Sequence, residues 1–133
     1  MTVKVVVDTS LLLCSSQAHK HLHQLLEEII DESFEVIIPS AVVNELKGLT
    51  ISKGRRGILA KIAMNEIDYI LSQGIGRLVE TAISNQTDMI LLHLAKDLNA
   101  CIATADIRLK RKATTMKIPT IVYVKSKKTL IKS

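Results

Sequence analysis

The chain has 133 residues, of which 47% are hydrophobic and 23% are charged, a composition that excludes a disordered segment and predicts a single folded domain. Lysine and arginine number 18 against 13 acidic residues, so the net charge is +5 and a polyanionic partner is compatible with it. No apolar run reaches the roughly 18 residues of a membrane span. Cys14 and Cys101 lie far apart, which predicts free thiols in a cytoplasmic protein.

The first predicted element is a strand that begins at Val3. Residues 5–7 are all valine, and an unbroken β-branched run is typical of a strand buried on both faces of a sheet. The run stops at Asp8, which two small hydroxyl residues follow. A carboxylate at the carboxyl end of the first strand lies where α/β sheets bind their ligands.

The remaining segments alternate between helical and strand patterns. In chain order we predict a turn over 11–14, a helix over 15–32, a strand over 35–38, a helix over 40–49 capped by Ser40, a loop over 50–57, a helix over 58–73, a strand over 77–82, a helix that a cap at Ser84, Asn85 or Thr87 begins and that reaches Leu98, a strand over 101–104, a helix over 106–116 and a strand over 120–124. This alternation predicts a three-layer α/β/α sandwich with a central parallel sheet of about five strands. The domain is expected to span residues 1–125, with a short basic, solubilising tail over 126–133.

Three further acids occupy notable positions. Glu45 lies at the apolar edge of its helix, and Asp88 extends the apolar stripe of its helix toward the amino end. Asp106 follows the strand 101–104 as Asp8 follows the first strand, which predicts that these two acids flank the switch point between neighbouring strands. Each acid also has an ordinary explanation: a partly exposed glutamate, a first-turn aspartate or a helix N-cap.

Together the four acids predict a cation site at one edge of the sheet. Carboxylates gathered in one pocket, with no basic side chain assigned to them, repel one another unless a cation lies among them. Ligation by oxygen alone favours Mg²⁺ or Mn²⁺ over zinc. Such an ion lowers the pKa of a bound water and stabilises a leaving oxygen, so the predicted reaction is phosphodiester hydrolysis without a covalent enzyme intermediate.

Four segments resemble the PIN domain, a family of metal-dependent ribonucleases related to the 5′-flap nucleases. They span nearly the whole chain in the family's order: VVVDTS (5–10), IPSAVVNEL (38–46), TDMILLHLA (87–95) and ATADIRL (103–109). The resemblance implies an RNA substrate, Mg²⁺ or Mn²⁺ as cofactor, and four metal-binding catalytic acids: Asp8, Glu45, Asp88 and Asp106. It also implies that Ser10 and Thr104 supply hydroxyls that orient a carboxylate or a metal-bound water.

The resemblance extends to archaeal PIN proteins, both ribosomal-RNA-processing relatives and VapC toxins. The candidate partners that it implies are a second copy of the chain, an antitoxin or a ribosome-assembly protein. Many relatives have a further acid after the fourth, whereas residues 107–110 contain none, so we expect one firmly held metal ion and a second only with substrate. A catalytically silent PIN fold that binds RNA, or serves as an assembly module, is the alternative function.

Two basic groups are candidates for contacts with RNA phosphates. Arg108, Arg111 and Lys112 lie on one face of the last helix, and Arg55 and Arg56 lie in the loop after Glu45. An ordinary solvated helix face is the alternative for the first group. The three aromatic residues of the chain are too few for base-stacking platforms.

Two other patterns are weaker. His19, His21 and His23 have no nearby carboxylate or cysteine that would complete a zinc site, so we predict that they lie at the surface. A receiver domain would need an acidic pair after the first strand. A haloacid-dehalogenase-type phosphatase would need a second acid at position 10, where this chain has Ser10.

Overall fold

The computed structural model describes residues 2–82 and 84–133. Within them the strands are β1 (Val3–Val7), β2 (Phe34–Pro39), β3 (Gly76–Val79), β4 (Cys101–Thr104), β5 (Thr120–Val124) and β6 (Thr129–Lys132). The helices are α1 (Thr9–Gln17), α2 (Leu22–Ile29), α3 (Ser40–Thr50), α4 (Arg55–Ser72), α5 (Thr87–Leu98) and α6 (Ile107–Thr115). None of these helices has both the length and the apolar character that crossing a membrane requires.

The strands form one sheet in the order β3-β2-β1-β4-β5-β6. The first five strands are parallel, and Val6 of β1 lies beside Ile37 of β2 on one side and Ile102 of β4 on the other. The chain builds the sheet outward from β1 to β3 and then returns through α5 to β4. The order therefore reverses between β1 and β4, which is the switch point predicted from the sequence.

Helices cover both faces of the sheet. Val5, Val6 and Val7 have no exposed surface, as predicted for a strand buried on both sides. Right-handed crossovers place α1–α4 on one face and α5 and α6 on the other. Of these, α5 packs against β1 and β4, and α6 packs against β4 and β5. The predicted three-layer sandwich is confirmed.

The first predicted helix is wrong in its bounds. The chain forms two helices there, α1 and α2, and it turns between them at His19, which has a φ of 58°. The first of these begins directly after β1 because Asp8 caps it, accepting a hydrogen bond from the Leu11 N–H at 3.0 Å. The predicted turn over 11–14 therefore lies inside α1.

Part of the predicted tail belongs to the sheet. Residues 125–128 form a turn, and β6 then pairs antiparallel with β5, so the sheet has six strands instead of about five. Leu130 is 3% exposed and packs into the core. The lysines made this segment resemble a solvated tail. They lie mainly in the turn and on the solvent side of β6, so they do not prevent the strand from pairing.

Candidate active site

Asp8 lies at the carboxyl end of β1 and is 6% exposed. Besides the Leu11 N–H that it accepts as the cap of α1, its carboxylate accepts a hydrogen bond from the Ser10 hydroxyl. Ser10 Oγ lies 2.9 Å from Asp8 Oδ1 and 2.8 Å from Oδ2. The start of α1 therefore fixes the orientation of the carboxylate.

Thr104 connects Asp8 to Asp106. Its buried hydroxyl, at the carboxyl end of β4, donates to Asp8 Oδ2 at 2.5 Å and accepts a hydrogen bond from the Asp106 N–H at 2.9 Å. The Ala105 N–H donates to Ser10 Oγ at 3.1 Å, so a second hydrogen bond joins the ends of the two strands. We call Asp8, Ser10, Thr104 and Asp106 the strand-end junction.

Electrostatics at the strand-end junction favour a cation. Burial raises the pKa of the Asp8 carboxyl to about 6; hydrogen bonds from Thr104, Leu11 and Ser10 lower that pKa, and the charge of Asp106 raises it. In the described part of the chain no lysine, arginine or histidine forms an ion pair with either acid. A divalent cation would remove the repulsion and the cost of burying the charge, so the residues of the junction fit such an ion.

Asp106 is also a helix cap. Its Oδ1 accepts a hydrogen bond from the Arg108 N–H at 2.9 Å, at the start of α6. Asp106 therefore caps α6, which is the ordinary role that the sequence allowed for this residue. Capping does not exclude cation binding, because an ionised carboxylate offers about four lone-pair sites.

Glu45 is exposed on α3, the helix that follows β2. It lines a cleft of about 340 Å³ together with Ser84, Asn85 and Thr87 from the segment that enters α5. Of the two interpretations open from the sequence, the structure favours the exposed glutamate. In this position the carboxylate can turn toward a ligand that binds between α3 and α5.

Asp88 lies in the first turn of α5, where its side chain is 38% exposed. The Lys112 Nζ on α6 lies 3.4 Å from Asp88 Oδ2. The expectation that no basic side chain pairs with the four acids is therefore wrong for Asp88. Both partners are substantially exposed, so this ion pair is weak and easily exchanged.

The structure brings all four predicted acids to one edge of the sheet, because each follows the carboxyl end of one of four adjacent parallel strands. It does not hold them in mutual contact. Across residues 2–82 and 84–133, the one group of three potential ligand residues whose ligand atoms all lie within 4.8 Å is His21, His23 and Glu66. Joint binding of a cation stays a prediction for Asp8, Glu45, Asp88 and Asp106.

Thr81 positions α3 and was missed by the sequence analysis. Its N–H donates to Ser40 Oγ at 2.8 Å, and its own hydroxyl accepts a hydrogen bond from the Ala41 N–H at 3.0 Å. The predicted N-cap role of Ser40 is wrong, because Ser40 is already inside α3 and Pro39 occupies the cap position. No local pattern could reveal a partner 41 positions along the chain.

The basic side chains of α6 begin two residues after Asp106. Arg108, Arg111 and Lys112 are all exposed, and Lys112 is the partner of Asp88 described above. This helix therefore carries positive charge directly beside the strand-end junction.

A second basic group lies at the start of α4. Arg55 and Arg56 occupy its first turn instead of the predicted loop, because the helix begins at Arg55. Arg55 lines a cleft of about 380 Å³ with Lys125 and Lys128. Lys128 was predicted to lie in the tail, whereas the β5–β6 turn brings Lys125 and Lys128 beside Arg55.

The histidines are not all at the surface. His19 and His21 are exposed as predicted, but His23 is 9% exposed, so the prediction is wrong for this residue. Glu66 of α4 supplies the carboxylate that the local sequence lacks, with Oε2 2.8 Å from His21 Nδ1. The two residues are 45 positions apart, so their spacing gave no signal.

Comparisons with known proteins agree with this architecture. Residues 5–127 match the family model described as "PIN like domain". The fold is similar to the PIN domain endonuclease Utp24, with a TM-score of 0.70, 19% identity, and coverage of 91% of this chain and 85% of that chain. A domain of a functionally unknown protein from Methanocaldococcus jannaschii DSM 2661 gives a TM-score of 0.63, 21% identity and coverage of 90% of both chains.

A further similar structure is VapBC2 from Rickettsia felis bound to a DNA fragment from their promoter, with a TM-score of 0.56, 18% identity, and coverage of 82% of this chain and 92% of that chain. A search of curated proteins gave no match. At these identities the solved structures establish the fold alone. The family model spans all four segments that resembled the PIN domain. The chain therefore belongs to the PIN-like domain family.

Proposed function

We propose that this protein is an endoribonuclease that hydrolyses RNA phosphodiester bonds with a divalent cation, Mg²⁺ or Mn²⁺. PIN domains are generally nucleases, and PIN nucleases use divalent metals. The observation that carries the proposal is the strand-end junction. There a buried carboxylate meets a second carboxylate at the switch point of the sheet, and the described residues supply no basic partner to either.

The residues at this edge of the sheet would have two roles, binding the cation and orienting a carboxylate. Asp8 and Asp106 would hold the cation, with Glu45 and Asp88 completing its ligands directly or through water. Ser10 and Thr104 keep the Asp8 carboxylate in a fixed orientation. When bound, the cation supplies Lewis acidity to the attacking water and to the phosphate.

The charge of the chain supports RNA as the proposed substrate. With a net charge of +5 and few aromatic residues, the chain would recognise RNA through its phosphates and its shape. Arg108, Arg111 and Lys112 would hold phosphates beside the cut, and Arg55 and Arg56 would hold a more distant part of the strand. A cytoplasmic role in ribosomal-RNA processing or as a toxin belongs to the same proposal, with a second copy, an antitoxin or an assembly protein as partner.

A second candidate function is that of a catalytically silent PIN fold that binds RNA without cutting it or serves as an assembly module. The observation that favours it is the ion pair between Asp88 and Lys112. A lysine beside a proposed cation ligand competes with the cation for that carboxylate. If this competition prevails, the edge binds phosphate but holds no metal ion.

The test is a Mn²⁺-dependent cleavage assay on one structured and one single-stranded RNA, with the wild type beside Asp8→Asn. Asparagine is a good N-cap, so the variant should keep α1 and fold. We expect the wild type to cut RNA only with Mn²⁺ present and the variant not to cut. Tight RNA binding by the wild type, with no cleavage at saturating Mn²⁺, would establish the binding module instead.

A further inference from the structure

A second cluster of potential ligands lies between α2 and α4 and shares no residue with the acids of the sheet edge. It consists of His21, which precedes α2, His23 in the first turn of α2, and Glu66 of α4. Their ligand atoms all lie within 4.8 Å of one another. His21 Nδ1 is 2.8 Å from Glu66 Oε2, and His23 Nδ1 is 3.5 Å from Glu66 Oε1.

The buried Nδ1 nitrogen of His23 has no hydrogen-bond partner among the described residues. In the part of the chain that the structure describes, His23 Nδ1 is inaccessible to solvent and makes no hydrogen bond. The nearby Glu66 Oε1 already accepts the Leu22 N–H at 2.7 Å. Buried polar atoms in native proteins are nearly always paired, so an unpaired one that faces a carboxylate and a second imidazole indicates a bound group.

The surroundings allow an ion to enter and then shield it. Tyr69 covers one side, with its ring centroid 5.2 Å from that of His23 and 6.1 Å from that of His21. The cluster opens into a cleft of about 340 Å³ that His21, Glu66 and Tyr69 line together with His19 and Lys20. The Lys20 ammonium group donates to the Lys128 carbonyl oxygen at 2.7 Å, so its hydrogen bonding is directed elsewhere.

We propose that His21, His23 and Glu66 bind a zinc ion, with the fourth coordination position open to the cleft. Two imidazoles and one carboxylate form a ligand set that zinc accepts, whereas sites of oxygen alone favour Mg²⁺ or Mn²⁺. Tetrahedral ligands about 2.0–2.2 Å from zinc lie roughly 3.3–3.6 Å from one another. His21 Nδ1 lies 2.8 Å from Glu66 Oε2 and His23 Nδ1 lies 3.5 Å from Glu66 Oε1, so each imidazole is near this spacing from a different oxygen of the same carboxylate.

The zinc ion would link two helices that are distant in sequence. Glu66 is in α4, while His21 and His23 belong to the start of α2, just after the chain turns at His19. A metal ion at this point would stabilise the turn, because it would join the start of α2 to α4. The site is independent of the proposed nuclease function, and the two proposals can fail separately.

The experiment measures Zn²⁺ binding to the full chain by calorimetry after removal of metal with a chelator, and follows Co²⁺ absorption as a second readout. His21→Ala removes an exposed ligand, and Glu66→Gln removes the charge but keeps an oxygen for the Leu22 N–H. His93→Ala is the matched control, since His93 is exposed on α5. We expect one Zn²⁺ per chain in the wild type and control, and affinity weaker by about tenfold or more in the other two, because even indirect ligand supports cost this much.

Circular dichroism reports the folding of each variant, and if one variant does not fold, the other decides. Equal Zn²⁺ affinity in the wild type and the folded variant overturns the proposal, as does a wild type that binds no Zn²⁺. Asp8→Asn should keep the wild-type Zn²⁺ affinity. Loss of Zn²⁺ binding in Asp8→Asn, with binding retained in His21→Ala, would assign the ion to the strand-end junction and overturn the proposal.

Discussion

Thr104 donates a 2.5 Å hydrogen bond to the Asp8 carboxylate from the neighbouring strand. The parallel pairing of β1 with β4 makes this contact possible, since it places the carboxyl ends of the two strands side by side. The same hydroxyl accepts the Asp106 N–H, so one threonine positions both acids of the junction.

Replacing Thr104 by valine should impair the proposed nuclease without unfolding it. Valine keeps the shape of threonine but removes the hydroxyl, so Asp8 loses a donor and the Asp106 N–H loses an acceptor. We expect single-turnover RNA cleavage to slow by about 10–100-fold and Mn²⁺ affinity to fall, as is usual when a group that orients a metal ligand is removed.

The matched control is Thr120→Val, which changes a buried threonine of β5 that is 4% exposed. It should cleave RNA at nearly the wild-type rate. A folded Thr104→Val protein that cleaves as fast as this control would show that the hydroxyl does not support the site.

The raised pKa of Asp8 predicts how stability depends on pH in the metal-free protein. An aspartate in the unfolded chain titrates near 3.9, whereas burial raises the pKa in the folded protein to about 6. The folded state thus holds the proton more tightly, so this contribution to stability is fully present below about pH 4 and is lost as pH rises through about 6. At about pH 8, Asp8→Asn should raise the free energy of unfolding by on the order of 2 kcal/mol.

Urea unfolding with a chelator present, from about pH 4 to about pH 8, measures this difference for the wild type and Asp8→Asn. The gap between the two proteins should widen as pH rises, and added Mn²⁺ should stabilise the wild type alone. Asp97→Asn, an exposed change on α5, should follow the wild type throughout. A metal-free wild type more stable than Asp8→Asn at high pH would contradict the inferred burial cost.

Lys112 should contribute to RNA affinity more than to stability. Its ion pair with Asp88 is exposed, so Lys112→Gln should change the free energy of unfolding by less than about 1 kcal/mol. Loss of one phosphate contact should weaken RNA binding and lower the slope of log affinity against log salt by about one. Lys61→Gln, at an exposed position on α4, is the control. Unchanged RNA affinity together with tighter Mn²⁺ binding would instead assign Lys112 to Asp88 alone.

Local patterns in the sequence predicted β1 to β5 and the positions of Asp8 and Asp106 at neighbouring strand ends, whereas the roles of Ser10 and Thr104 came from the resemblance to PIN domains. The bounds of β4 and β5 agree with the prediction, because short apolar runs between turn residues mark them clearly. Asp8 and Asp106 both follow buried strands, and parallel pairing alone then implies that they lie at neighbouring strand ends.

What the sequence did not reveal depends on contacts between distant segments. Thr81 caps α3 from another loop, and Glu66 reaches the two histidines from α4. The strand β6 was not predicted, because the turn before it is rich in lysine and because the strand depends on pairing with β5. Hydrophobic periodicity is a property of one segment at a time, so it does not predict contacts between distant segments.

The central claim is that Asp8, Glu45, Asp88 and Asp106 share a divalent cation, and Mn²⁺ affinity measured by calorimetry tests it most directly. Each amide variant, Asp8→Asn, Glu45→Gln, Asp88→Asn and Asp106→Asn, should bind Mn²⁺ about tenfold or more weakly than the wild type, while Asp97→Asn should match the wild type. Wild-type Mn²⁺ affinity in both Asp8→Asn and Asp106→Asn, or no Mn²⁺ binding by the wild type, would contradict the account.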